Sequence, residues 1–169
     1  MRTRQLVVAA VVILTFVLVQ ICFVNEIHLP WGYPDLPVLA VVALALAWGP
    51  IWGSCVGFVT GLMLDIAPPA DHAVGRLAFA YALVGYLAGL LEDAEETSVS
   101  TTILVVAGAS ALLVLVDVGL AAVLGDGSVT AAQTGRLLAS TVGYDVILAP
   151  FVVPLLAGLA RRSEPVGAR

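Results

Sequence analysis

The chain has 169 residues, of which 61% are hydrophobic and only 11% are charged, and its mean hydropathy is +1.08. A soluble domain carries about 45–50% apolar and about 25% charged residues, so the composition excludes a water-soluble globule and a disordered chain. The net charge is −5 and every basic residue is an arginine, so a basic face for nucleic acid is excluded as well. We expect an all-α integral membrane protein whose residues 1–169 form one domain.

Apolar runs predict the helices, because a helix needs about 20 apolar residues to cross a bilayer and backbone polar groups must be paired there. The first run is predicted to be retained, since it is too long for the apolar region of a signal peptide and no A-x-A cleavage site follows it. Six transmembrane helices are predicted, at about residues 5–24, 36–48, 50–66, 75–91, 100–124 and 135–160.

Two interruptions within the apolar runs affect these helices. Between the second and third helices stands Trp48-Gly49-Pro50, which is compatible with a tight hairpin or with one long broken segment. The hairpin is favoured, because Gly-Pro stops a helix and the combined run is too long for one span. Pro150, Pro154 and Gly158 predict either a bend in the last helix or an unwound stretch of the kind that transporters use at a binding site. The bend is the preferred interpretation.

The arginines predict the orientation, because cytoplasmic loops carry an excess of basic residues. Placing both termini in the cytoplasm puts five of the seven arginines inside and leaves only Arg76 and Arg136 outside. The N- and C-termini are therefore both expected on the cytoplasmic side of the membrane.

Glycines recur at every fourth position of the third helix, and small residues also line the fourth. Small residues let membrane helices approach closely, so these rows are predicted either to pack the third helix on the fourth or to dock a partner's helix. Internal packing is the preferred interpretation. The glycines concerned are Gly53, Gly57, Gly61, Gly85 and Gly89.

Ionisable residues in the outer half of the predicted bundle form a second candidate site. A carboxylate in lipid needs a partner or a water-filled cavity, so Asp65 is predicted to pair with Arg76, and Arg136 to reach Asp117 or Asp145. Structural ion pairing is the preferred interpretation. A ligand pocket open to the outside and a proton relay are the alternatives.

Enzyme, metal and cofactor sites are not expected. Cys22 and Cys55 lie on different apolar segments with no metal-ligand spacing, and His28 and His72 lie in loops. The chain contains no G-x-S-x-G, H-E-x-x-H or phosphate-loop motif.

One stretch carries a resemblance to a known family. Residues 57–65 read GFVTGLMLD and residues 68–72 read PPADH; Gly75, Ala78 and Tyr81 follow, and then residues 85–89 read GYLAG. This pattern resembles the rod shape-determining protein MreD, particularly the actinobacterial type. The match is strongest over residues 49–92, while chain length and predicted topology extend it over the rest.

The resemblance implies a non-catalytic subunit of the bacterial cell-elongation machinery, located in the bacterial inner membrane. Its implied partners are an MreC-type single-span protein, a RodA-type glycosyltransferase and a class B penicillin-binding transpeptidase. MreD is also distantly similar to the S components of energy-coupling factor transporters, which implies a compact bundle with an outward cavity. A substrate-binding subunit of a small-molecule transporter is the alternative function, because of the outer charge cluster and the interrupted last helix.

Overall fold

The computed structural model describes residues 3–27, 32–68, 74–91, 99–124 and 131–163, and this part of the chain is all helical. Within these ranges, four helices are long and apolar enough to cross a membrane, and one shorter apolar helix is also present. The helices are α1 (Thr3–Val19, continued by a π-helical turn Gln20–Val24), α2 (Leu36–Asp65), α3 (Arg76–Gly89), α4 (Val99–Leu124) and α5 (Ala131–Arg162).

Helix α2 corresponds to the predicted second and third helices, 36–48 and 50–66, and is broken between them, in agreement with the favoured hairpin. It is one element whose helical geometry fails only at Gly49, where φ is 81° and ψ is −178°. A positive φ is easily reached by glycine, and Pro50 has no N–H with which to continue the preceding turn. The break lies where the Gly-Pro pair predicted it, and only one residue has non-helical backbone angles.

The two halves of α2 fold back on each other at this break. Gly53 lies against the side chain of Ala45, although eight residues of straight helix would separate the two by about 12 Å. Asp35 and Asp65, at opposite ends of α2, both contact the first half of α3. A reversal at Gly49 brings the two ends of α2 to the same end of the bundle.

The first half of α2 forms the centre of the molecule. Every residue of 37–49 is buried, and its apolar side chains face neighbours on all sides, as expected of a helix that is hydrophobic all round. Helices α1, α3, α4 and α5 surround it. Because this half of α2 is surrounded by protein and not by lipid, it can be shorter than the about 20 residues of a full span.

The bundle has two distinct ends. At the Asp65 end lie Asp35, Asp65 and the start of α3. At the Gly49 end, Gly49 lies against Gly89, and the indole of Trp48 donates to the carbonyl of Ala160 near the end of α5.

The remaining helices follow the predicted positions with shifted ends. Helices α3 and α4 lie close to the predicted ranges 75–91 and 100–124, while α5 begins four residues earlier than the predicted residue 135. Helix α5 continues through Pro150 and Pro154 as one element. A helix can accommodate prolines where neighbouring groups satisfy the freed carbonyls.

Candidate functional site

The glycine rows of α2 and α3 face each other. A methyl group added at Gly53 would meet the backbone of Gly85, one at Gly57 would meet the backbone of Tyr81, and one at Gly61 would meet Leu77. All five predicted glycines are buried. The space between the rows is filled by the backbones of these two helices, which leaves no groove there for a partner's helix.

Asp65 ends α2 and holds the start of α3. Its carboxylate accepts hydrogen bonds from the backbone N–H groups of Gly75 (2.9 Å), Leu77 (3.1 Å) and Ala78 (3.0 Å). The first N–H groups of a helix have no partner within it, and a carboxylate suits the positive end of its dipole. These contacts of Asp65 are with backbone N–H groups on either side of Arg76, whereas the sequence predicted an ion pair between Asp65 and Arg76.

Arg76 joins α3 to α4. Its Nε donates to Oδ1 of Asp117 over 2.6 Å, and both side chains are mostly shielded from solvent. Arg136 is exposed on α5, and the predicted pairing of Arg136 with Asp117 or Asp145 is not found among the described residues. Arg76 is closer to Asp117 because the α2–α3 turn brings it there.

Asp145 is fully buried on α5 and has two donors. Its Oδ2 accepts from the hydroxyl of Ser110 on α4 over 2.6 Å, and its Oδ1 accepts from the backbone N–H of Asp35 over 2.8 Å. The side chain therefore joins three elements: α4, α5 and the residue that precedes α2.

Asp35 is the N-cap of α2 and the centre of this network. Its Oδ1 accepts from the backbone N–H of Val38, and the hydroxyl of the fully buried Tyr81 donates to the same carboxylate at 2.6–2.7 Å. Burial raises the pKa of Asp35 to about 6, and the charge of Asp117 adds to the increase, whereas the bonds from Tyr81 and Val38 act in the opposite direction.

Gln20 attaches α1 to the same place. Its side-chain amide donates to the carbonyl of Pro34 over 3.1 Å and accepts from the backbone N–H of Leu36 over 3.1 Å. Gln20 is 6% exposed, and a buried amide without such partners would destabilise the fold. The chain around Asp35 is thus fixed from both α1 and α5.

A cavity of about 400 Å³ opens at the Asp65 end beside these residues. Its polar wall includes Gln20, Asp35, Tyr81 and Asp117, and its apolar wall comes mainly from α3, α4 and α5. The donors of Tyr81 and Arg76 are already bonded to carboxylates. The lining also contains Asn25, Tyr33 and Thr141, which can donate or accept hydrogen bonds. The carboxylates of Asp35 and Asp117 supply negative charge, so the cavity favours a ligand that carries positive charge.

Three members of this site were not among the predicted residues: Gln20, Asp35 and Ser110. The available signal was a polar side chain within or next to an apolar run, because such a group needs a partner in lipid. Metal binding gains no support from the described residues, which contain no group of three or more His, Cys, Asp or Glu suited to an ion. His28 and His72 lie outside them.

No family model, curated protein or solved structure matches the chain. The site is therefore described by its geometry alone. It is a polar cavity at one end of an apolar helical bundle, in which glycines allow α2 and α3 to pack backbone against backbone.

Proposed function

We propose that the chain is a non-catalytic scaffold of the bacterial cell-elongation machinery, which binds an MreC-type single-span partner and tunes peptidoglycan synthesis. The proposal rests on the pattern of residues 57–89, in which a row of glycines ends at Asp65 and is followed on the next helix by Gly85 and Gly89. The described contacts give each of these residues a packing or capping role. Those roles suit a rigid binding platform and require no substrate.

The proposed topology has six crossings with both termini in the cytoplasm. Two observations support it: α2 reverses at Gly49, and Arg161 and Arg162 lie at the opposite end of the bundle from Arg76 and Arg136. Reporter fusions test it. Alkaline phosphatase should be active when inserted within residues 125–130 and inactive after Arg169, and the reverse pattern would contradict the orientation.

Co-purification from membranes tests the scaffold function. We expect the tagged full-length chain, after mild cross-linking, to enrich a single-span protein with a large extracytoplasmic domain, together with a peptidoglycan glycosyltransferase or transpeptidase. The untagged strain is the control. Depletion of the chain should convert rod-shaped cells to round ones, and cells that keep their shape would contradict the proposal.

The cavity favours a second candidate, a substrate-binding membrane subunit of a small-molecule transporter. Its volume of about 400 Å³ is within the range of small-molecule sites, and its carboxylates are polar groups of the kind that orient a ligand in such sites. This function predicts co-purification with a cytoplasmic ATPase. It also predicts that a cationic ligand raises the melting temperature in detergent, because ligands that bind only the folded state stabilise it. Asp35→Asn should abolish that increase, and Glu26→Gln, at an exposed position, should preserve it.

A further inference from the structure

A second cavity, of about 260 Å³, lies at the Gly49 end of the bundle. It is formed by the first half of α2, the start of α4 and the end of α5, and its apolar walls include Leu46, Val153 and Ala157. Its polar lining comes from Thr102 and Arg161. These residues belong to neither of the sites described above.

Thr102 presents an unsatisfied hydroxyl to this cavity. The residue is only 3% exposed, and its hydroxyl has no hydrogen-bond partner in the part of the chain that the structure describes. A buried polar group without a partner is costly. An acceptor atom on a molecule bound in the cavity would remove that cost.

The start of α4 adds positive electrostatic potential beside the Thr102 hydroxyl. Thr102 is the fourth residue of α4, which begins at Val99. The first four N–H groups of an α-helix have no acceptor within the helix, and together they carry the positive end of its dipole. An anion beside Thr102 would therefore lie at a favourable end of this helix.

Arg161 supplies a full positive charge. It lies in the last turn of α5 beside Arg162, and none of the described residues that line the cavity is acidic. A guanidinium binds phosphate oxygens well, because its planar donors match their geometry. The hydroxyl, the helix start and the guanidinium together favour a phosphate group.

We propose that this cavity binds the headgroup phosphate of an anionic phospholipid, and this assignment requires only that the bundle is embedded in a membrane. The helix ends are at the depth where headgroups lie, and basic pockets between membrane helices bind such headgroups. The walls beyond the two polar residues are apolar, and Leu155, which follows the lining residue Pro154 in the sequence, is 73% exposed. That surface accommodates an acyl chain, which inorganic phosphate lacks.

The test uses the full-length chain in a neutral detergent, with thermal unfolding and native mass spectrometry as readouts. Phosphatidylglycerol, phosphatidylcholine with the same acyl chains, and inorganic phosphate are each titrated. At about 100 times its dissociation constant, phosphatidylglycerol should raise the melting temperature by about 5–10 °C, and bound lipid should survive in the mass spectrum. An equal effect of phosphatidylcholine would overturn the proposal. Full stabilisation by phosphate alone would overturn the lipid assignment.

Three substitutions locate the effect. Arg161→Gln should weaken phosphatidylglycerol binding about tenfold or more, and Thr102→Val, which keeps the shape and removes the hydroxyl, should weaken it by a smaller factor. Arg162→Gln is the matched control, because Arg162 is the adjacent arginine and does not line the cavity. Equal losses at Arg161 and Arg162 would indicate diffuse attraction and overturn the site.

The acidic residues 92–96 precede α4 and lie outside the described residues. If they neutralised Arg161, then Arg161→Gln would leave lipid binding unchanged, which would also overturn the proposal. Melting temperatures of the lipid-free variants provide the folding control. Arg161→Gln and Thr102→Val should match the parent chain without lipid and differ from it only when lipid is present.

Discussion

Helices α2 and α3 use glycine in a way that α4 and α5 do not. At Gly53, Gly57 and Gly61 an added methyl group would collide with the backbone of α3. At Gly108 and Gly143, which lie on α4 and α5, an added methyl group would meet nothing within 4 Å. The same residue type thus allows backbone contact in one region and leaves an open surface in the other.

Helices α2 and α3 therefore form a rigid part of the bundle, whereas α4 and α5 have surface available for contacts with other molecules. In lipid, helices associate through close packing, because the solvent is as apolar as the side chains. The α2–α3 pair has completed that packing internally. A partner protein or a lipid must therefore use the outer surfaces or the two end cavities, where α4 and α5 contribute most of the exposed residues.

The largest expected effect is at Gly57. Gly57→Ala places a methyl group against the backbone of Tyr81, and because neither backbone can move independently, the two helices must separate. We expect a loss of about 3 kcal/mol in the free energy of unfolding, measured by thermal unfolding in detergent. A variant as stable as the parent would show that the two helices do not touch at this position.

Asp65 should come next, because it connects the two helices of the rigid region. Asp65→Ala removes the acceptor from three backbone N–H groups at a fully buried site, and we expect a loss of about 2–3 kcal/mol. Asp65→Asn keeps one acceptor oxygen and should recover part of this loss. Identical stabilities of the alanine and asparagine variants would contradict the capping role.

The Asp35 carboxyl should make stability depend on pH. Its pKa is raised from 3.8 to about 6, so between about pH 4 and pH 6 the folded state holds a proton that the unfolded chain releases. Stability is therefore greatest at the low end of this window and falls as the pH rises.

Asp35→Asn should weaken that dependence and keep an acceptor oxygen for Tyr81 and Val38. We expect it to increase the free energy of unfolding at pH 7 by about 1–2 kcal/mol, as measured by thermal unfolding at a series of pH values. Glu26→Gln, at an exposed site, is the control and should leave the pH profile as it is. A lower stability of Asp35→Asn at pH 7 would refute the effect of burial.

The Arg76–Asp117 pair connects the rigid region to α4 and should have a smaller effect. A double-mutant cycle with Arg76→Gln and Asp117→Asn isolates the pairwise contribution, even though Arg76 has further contacts. We expect a coupling of about 1 kcal/mol for a pair that is partly open to solvent. A coupling near zero would mean that α3 and α4 are held together by apolar packing alone.

The smallest effect, of opposite sign, is expected at Gly143. Gly143→Ala adds a methyl group in open space on a helix, where glycine is less favourable than alanine by about 0.5–1 kcal/mol. The variant should be slightly more stable than the parent in the same unfolding assay. Destabilisation by 1 kcal/mol or more would mean that this face of α5 is packed and not open.

The sequence predicts the helices and their main break well, because both depend on local features. Apolar runs place the helix centres, and the Gly49-Pro50 pair alone predicts the interruption in α2. The spacing of four residues between Gly53, Gly57 and Gly61 predicts a close contact. That α3 is the element in contact was the preferred of two interpretations, because a glycine row does not specify what lies against it.

The polar site was harder to predict, because it depends on the reversal at Gly49. Asp35 contacts Tyr81, which is 46 positions away, and its backbone N–H contacts Asp145, which is 110 positions away. Within the sequence, Asp35 stands in a proline-rich loop and is typical of a solvated surface. Arg136 was predicted to pair with an aspartate, but Arg76 occupies Asp117 because the α2–α3 turn carries it there.

The fold-back of α2 is the claim on which the cavity, the glycine contact and the proposed topology all depend. It is tested most directly by the distance between spin labels at Tyr33 and Ile66, both exposed at the two ends of α2, with Cys22 and Cys55 replaced by serine. The account predicts labels at the same end of the bundle, within about 25 Å, since residues 33 and 64 line one cavity. A separation of about 50 Å, the length of 33 residues of uninterrupted helix, would contradict it.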